Sequence, residues 1–211
     1  MLFRSGSDVF KEDWIKYGEE PDYGSYFVAV DLAGFEEVAK QAANSKKRLD
    51  ETAIAIVKVT DEGQWFVKEI QHGRWDIRET AAKILIAMRD YRPLSVGIER
   101  GALKNAVLPY LSDLMRKNNV YSHIIDLTHG NRKKADRIIW GLQGRFEHGR
   151  IILNRDEDWT EFLDQLLMFP AIGVHDDLPD ALSYIDQLAV TSYFEDDASD
   201  DWEPIDIIAG F

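Results

Sequence analysis

Three acidic residues stand where predicted strands end or where a predicted helix begins. Asp31 ends an apolar run over 25–32, Glu99 ends another over 94–99, and Asp177 opens the last long helical pattern. Side chains at strand ends and at a helix start can converge at one edge of a sheet. Like charges brought together are costly unless a cation neutralises them. The pattern therefore predicts a metal site.

The type of ligand predicts the type of metal ion. Carboxylate oxygens favour Mg²⁺ or Mn²⁺ over zinc. Two such ions about 3.5–4 Å apart would clamp a scissile phosphate, one activating a water molecule and the other stabilising the leaving oxygen. The chain contains no cysteine, which excludes disulfides and thiolate metal sites. His175 has no H-x-x-x-H or cysteine partner, so we expect it to make a local hydrogen bond and not to bind zinc.

Each acid taken alone also has a structural interpretation. An Asp after a buried strand is most often the first polar residue of a loop. Asp177, with Asp180 three positions later, fits a helix N-cap with its capping partner. Asp176 and Asp180 lie beside Asp177, and among the three we expect Asp177 to bind metal first, then Asp180, then Asp176.

The elements that must position these residues follow from hydrophobic periodicity. Strands are predicted at 25–32, 94–99, 122–128 and 150–154, and a hairpin is predicted from 51–60 and 64–71 around the turn at 61–63. Helices are predicted at 75–93, 102–119, 133–148, 158–169 and 176–190, the second of them kinked or broken at Pro109. This order is typical of an α/β fold with a mixed sheet flanked by helices.

The ordered motifs resemble the nuclease domain of tailed-phage terminase large subunits, which are ribonuclease H-like nucleases. VAVDLAG, DETAIAIV, VGIERG, KKADRI with GRIILN, and HDDLPDALSY follow one another within roughly residues 10–190. The resemblance implies a ribonuclease H-like mixed central sheet with a site for two Mg²⁺ or Mn²⁺ ions. The family's metal-binding acids match Asp31, Asp50, Glu99 and Asp177, with Asp180 as a near neighbour.

Roles for these residues follow from the same resemblance. Asp31 is expected to bridge the two ions, while Glu99 and Asp177 each complete the coordination of one ion, so these three are the expected catalytic residues. One departure from the family's pattern is the long segment that separates Asp31 from Asp50.

The resemblance implies a metal-dependent endonuclease that cuts double-stranded DNA during viral genome packaging, in the cytoplasm of an infected bacterial host. The implied protein partners are an N-terminal ATPase domain of the same polypeptide, the portal and the small terminase subunit. The sequence contains no G-x-x-x-x-G-K-[ST] loop, so we expect an isolated C-terminal nuclease domain. It has no apolar run near the about 20 residues of a membrane helix, and no membrane partner is expected.

We expect a lead-in over 1–24, a nuclease domain over 25–194 and an acidic tail over 195–211. The tail carries seven acids and no Lys or Arg, and removing it changes the formal charge from −13 to −6. Acids gathered at a metal site count as negative only until the ions bind, so the charge neither supports nor opposes a nucleic-acid partner.

Two basic clusters are candidates for contacts to DNA phosphates, which set affinity but not sequence preference. A solvated basic face is an equally good interpretation of both. The cluster residues are Lys46, Lys47, Arg48, Arg132, Lys133 and Lys134.

Two alternatives stay open at the level of sequence. The first is another ribonuclease H-like nuclease of resolvase or transposase type, which assays on branched and linear DNA would separate from a terminase. The second is a non-catalytic packaging module whose acids only cap helices, which metal titration would distinguish.

Overall fold

The computed structural model describes residues 9–33, 51–128, 133–171 and 173–189. The strands are β1 (Tyr17–Gly18), β2 (Ser25–Asp31), β3 (Thr52–Val59), β4 (Trp65–Gly73), β5 (Ser95–Glu99), β6 (His123–Leu127) and β7 (Ile151–Asn154). The helices are α1 (Ile77–Tyr91), α2 (Ala102–Asn118), α3 (Lys134–Glu147), α4 (Thr160–Met168) and α5 (Asp177–Ser183). A single mixed sheet with helices on both faces confirms the predicted α/β architecture.

The strands form one sheet in the order β1-β7-β4-β3-β2-β5-β6. Strands β2, β3 and β4 pair antiparallel, whereas β5 and β6 continue the sheet parallel to β2. The predicted hairpin joins β3 to β4, and the N–H of Thr60 donates to the carbonyl of Gln64 at 2.9 Å. Gly63 has a φ of +76°, a conformation that glycine adopts without steric cost, and this explains the Gly in the turn.

The register of β2 and β5 places two of the predicted acids side by side. Val30 lies opposite Ile98 in this parallel pair, and Asp31 and Glu99 follow them at the carboxyl ends of the two strands. Val28 and Val30 are fully buried, and so is Ala29 on the other face of the strand, because helices cover both sides of the sheet. Apolar residues on both faces thus hold the two strand ends at a fixed position.

Small residues bring the helices of one face close to the sheet. Ala181 of α5 packs against Ala53 and Ala55 of β3, where larger side chains would hold the helix away. Helix α3 crosses α5 at Gly141, where an added Cβ would lie only 3.3 Å from the carbonyl oxygen of Ser183. Helices α3 and α5 are therefore held against each other by close backbone packing.

The sequence predicts a kink or a break of helix α2 at Pro109, and the structure contradicts the break. The helix runs without interruption over Ala102–Asn118 with Pro109 inside it. Its buried side chains Val107, Leu111 and Met115 lie on both sides of the proline and pack into the same core. Pro109 itself is exposed, so solvent can satisfy the carbonyl that loses its helical partner.

The last predicted helix is interrupted in the structure. Helix α5 ends at Ser183, and a second helical stretch follows over 185–189. The hydroxyl of Ser183 donates to the carbonyl of Asp180 at 2.7 Å, a local bond that is known to bend helices.

Part of the predicted lead-in packs against the rest of the domain. Phe10 is 3% exposed, and its ring centroid lies 6.0 Å from that of Phe146. Strand β1 pairs with β7. The boundary at residue 24 stays a prediction, and the predicted tail over 195–211 lies outside the described residues. Within the part of the chain that the structure describes, no helix is long and apolar enough to cross a membrane.

Candidate active site

Asp31 and Glu99 form a carboxyl pair at the ends of β2 and β5. Asp31 is 9% exposed, and its carboxyl group shares a hydrogen bond with that of Glu99. Burial raises the pKa of Asp31 well above its usual value, and the charges of Asp180 and Glu99 raise it further, while Lys134 opposes them. Such a raised pKa means that a second negative charge at this position is costly without a nearby cation.

Helix α5 brings two further acids to the same edge. Asp177 and Asp180 are 6% and 2% exposed, although both carry a carboxylate. The Oδ2 atom of Asp177 accepts a hydrogen bond from the backbone N–H of Glu51 at 3.2 Å. The N-cap position belongs to Asp176, whose side chain makes no capping bond. The interpretation of Asp177 as the N-cap of this helix is therefore wrong.

Arg137 of α3 neutralises Asp180 inside the protein. Its Nη2 atom lies 2.6 and 2.8 Å from the two oxygens of Asp180, and its Nε lies 3.2 Å from the first. The guanidinium stacks 4.5 Å from the ring centroid of Tyr184, which is fully buried. Burial raises the pKa of Tyr184, and the negative charge of Asp180 adds to the effect, so its hydroxyl stays protonated. A buried fork of this kind fixes the orientation of Asp180.

Lys134 places its ammonium group among the acids of α5. Its Nζ lies 2.8 Å from Asp176 Oδ1, 3.1 Å from Asp180 Oδ2 and 3.7 Å from Asp177 Oδ1. Burial alone would lower the pKa of Lys134, but the charges of Asp180, Asp31 and Asp176 outweigh it and raise that pKa. The positive charge of Lys134 therefore lies among the acids of α5 and interacts with Asp31.

The structure brings four of the five predicted metal-binding acids together, namely Asp31, Glu99, Asp177 and Asp180. Of the predicted DNA-contacting residues, Lys133 is exposed at the start of α3, whereas the side chain of Lys134 turns into the cluster. The predicted residues that lie outside the described part of the chain are Asp50, Lys46, Lys47, Arg48 and Arg132.

Sequence reasoning missed Arg137 as a partner of the cluster. The signal was its spacing: Lys134 and Arg137 are three residues apart, so they share one face of a helix. That face points to α5 only because α3 and α5 pack together, which the sequence pattern did not reveal.

Removing the charge of Lys134 is expected to lower the stability of the metal-free protein. In Lys134→Met the acids of α5 lose a positively charged partner, so the unfolding temperature in EDTA should fall. The increase in unfolding temperature on adding Mn²⁺ should be larger than in wild type. Since the raised pKa of Lys134 lies above its unfolded value, this stabilisation is fully present at neutral pH and is lost only at strongly alkaline pH. Thermal unfolding of wild type, Lys134→Met and the exposed neighbour Lys133→Met checks this, and equal behaviour of the two variants would contradict it.

Among the solved structures similar to this one are nuclease domains of phage large terminases. The large terminase nuclease of thermophilic phage G20c with bound zinc has a TM-score of 0.57 at 14% identity, covering 84% of this chain and 96% of that one. Its structure with bound magnesium has a TM-score of 0.56 at 14% identity, with 86% and 96% covered. The nuclease domain of the Thermus phage P74-26 large terminase has a TM-score of 0.52 at 12% identity, with 82% and 90% covered.

At such identities the likeness shows the fold, and it confirms the predicted ribonuclease H-like architecture. No protein-family model and no curated protein matches the chain.

Proposed function

We propose that this chain is a metal-dependent endonuclease of the terminase type, which cuts double-stranded DNA during viral genome packaging. The observation that carries the proposal is the convergence of four buried or half-buried acids near the carboxyl ends of β2 and β5, three of which interact with the ammonium group of Lys134. Structural acids are usually satisfied by caps or single ion pairs. Here Asp31 has a raised pKa, which is typical of functional sites.

The chemistry of the donor set fits two divalent ions of the Mg²⁺ or Mn²⁺ type. The ligands available are carboxylate oxygens on rigid strand ends and on a helix, and the cluster already attracts a cation. Asp31 interacts with both Glu99 and Asp180, which supports it as the residue that two ions would share. Glu99 would complete one coordination sphere and Asp177 the other.

Such ions, when bound, activate water and neutralise the charge that develops on a scissile phosphate. The protein's own part is to hold the acids in place. The N–H of Glu51 fixes one oxygen of Asp177, and Arg137 engages both oxygens of Asp180. Because Arg137 already occupies Asp180, we rank Asp177 above Asp180 as a metal ligand.

In this proposal, the ammonium group of Lys134 balances the charge of the acids as long as no metal ion is bound. Its side chain is 40% exposed, so the ammonium can leave the cluster toward solvent when divalent ions bind. It would then stand beside Lys133 at the start of α3, where both can contact a DNA phosphate. Lys134 would thus lie among the acids without metal, as in the structure, and would contact a DNA phosphate once metal ions are bound.

Cleavage is expected to require added divalent ions. Double-stranded plasmid DNA should be cut in Mg²⁺, faster in Mn²⁺, which tolerates imperfect octahedral geometry, and not in Zn²⁺ alone. The measurement is conversion of supercoiled plasmid to nicked and linear forms over time. Full activity in excess EDTA would rule out the proposed mechanism.

The branched-DNA alternative is tested under the same conditions with short DNA substrates of defined sequence. A four-way junction cut in preference to linear duplex of the same sequence would favour a resolvase and count against the packaging role. A domain that binds no Mn²⁺ at the carboxylate cluster would instead favour a non-catalytic packaging module. The portal, the small terminase subunit and an N-terminal ATPase domain belong to the proposal as partners.

A further inference from the structure

The imidazole of His72 lies between two carboxylates that the proposed catalytic site does not use. His72 belongs to β4, Glu51 directly precedes β3, and Glu161 lies in the first turn of α4. The Nδ1 atom of His72 is 2.9 Å from Glu51 Oε2, and its Nε2 atom is 3.9 Å from Glu161 Oε2. One ligand-type atom of each residue lies within 4.8 Å of those of the other two. Three segments distant in sequence thus meet at one imidazole.

The two contacts of His72 are chemically different. A neutral imidazole has one N–H and one lone pair, so only one of two flanking carboxylates can accept a hydrogen bond from it. If the Nδ1–H donates to the nearer Glu51, the lone pair of Nε2 faces Glu161, which is also an acceptor. A cation between Nε2 and Glu161 would be coordinated by both groups. Metal-binding histidines are held in this way, with the second ring nitrogen donating to a carboxylate.

The surroundings leave room for an ion and offer further ligands. His72 and Glu161 line a cleft of about 810 Å³ whose wall also includes Asp164 and His175. Asp164 follows Glu161 by three residues, which puts both on the same face of α4. The side chain of His72 is 28% exposed, so an ion from solvent can reach it. The other oxygen of Glu51 lies 3.9 Å from the guanidinium group of Arg74.

We propose that His72 and Glu161 bind one divalent ion of the Zn²⁺ or Co²⁺ type, with Glu51 orienting the imidazole. Mixed imidazole and carboxylate ligands suit these ions, whereas Mg²⁺ prefers oxygen alone. The site is separate from the carboxylate cluster but linked to it, because the backbone N–H of Glu51 bonds to Asp177. An ion at His72 would therefore stiffen the segment that positions Asp177.

The test is a calorimetric titration of Zn²⁺ into the 211-residue chain in millimolar Mg²⁺, which competes for the all-oxygen cluster. Wild type should bind one Zn²⁺ ion tightly. Asp31→Asn, which impairs the catalytic cluster, should bind it equally well, and so should the control His148→Gln, which alters an exposed histidine of the same type elsewhere. Glu51→Gln should weaken binding about 10–100-fold, as loss of an orienting carboxylate does. His72→Gln should weaken binding further still.

Visible absorption of bound Co²⁺ gives a second readout, since the bands should disappear in His72→Gln. Circular dichroism verifies the fold of each variant, and if His72→Gln does not fold, the half-exposed Glu161→Gln decides the matter. The proposal is overturned if wild type binds no Zn²⁺ tightly. It is also overturned if the His72 and Glu161 variants both bind normally, or if Asp31→Asn alone abolishes binding. None of these outcomes depends on nuclease activity, so the proposed function is tested separately.

Discussion

Asp31→Asn is expected to reduce DNA cleavage by at least about 1,000-fold, which corresponds to roughly 4 kcal/mol of lost transition-state stabilisation. The reason is geometric: Asp31 interacts with both Glu99 and Asp180, so its charge is the one shared across the proposed metal site. Plasmid cleavage in saturating Mn²⁺ measures the loss. Near-normal activity of a folded Asp31→Asn protein would contradict the proposed metal-dependent mechanism.

The same substitution separates catalysis from folding. The pKa of Asp31 is raised in the folded state, so its ionised form destabilises the metal-free protein at neutral pH. This cost decreases as pH falls through the folded pKa and is gone below the unfolded pKa. Asp31→Asn should therefore raise the unfolding temperature in EDTA at neutral pH, with a smaller gain in acid. Asp61→Asn, in the exposed hairpin turn, is the matched control and should change neither activity nor stability.

Arg137→Met is expected to destabilise the fold by about 3 kcal/mol, because it leaves the carboxylate of Asp180 buried without its main partner. Loss of a buried partner costs roughly 3–5 kcal/mol, and we expect the lower figure because Lys134 remains 3.1 Å from Asp180. For a domain of this size, the unfolding temperature should fall by about 6–12 °C. Urea or thermal unfolding in EDTA measures the change.

A double-variant cycle tests the cause of that loss. If the uncompensated charge is responsible, Arg137→Met with Asp180→Leu should be more stable than Arg137→Met alone, since two apolar side chains need no ion pair. The control Arg116→Met removes an arginine whose pair with Asp113 is largely exposed, and it should change stability by no more than about 0.5 kcal/mol. Equal losses in the Arg137 and Arg116 variants would show that the buried pair contributes nothing special.

The two residues with the largest expected effects differ in how far the sequence predicts them. Asp31 was predicted from its place after a buried strand and from the resemblance of the surrounding motifs. Arg137 was not singled out, because an arginine within a helix is most often a solvated surface residue. Arg137 is only 8% exposed because α3 packs on α5, and this packing is known only from the tertiary structure.

The histidines illustrate a similar limit. His175 has no partner at a spacing that would indicate zinc binding. The proposed partners of His72 precede β3 and open α4, far away in the sequence. A site assembled from three separate segments has no local spacing that a sequence motif can capture.

The amino-acid sequence by itself determined the elements and the place of the acids on them. Hydrophobic periodicity is local, and it predicts the strand boundaries accurately enough to place Asp31 and Glu99 at strand ends. The tertiary structure alone decided which cations those acids meet and how the helices approach them. The approach depends on contacts such as Gly141 with Ser183, between residues about 40 positions apart. Such contacts are set by backbone packing, for which no local pattern exists.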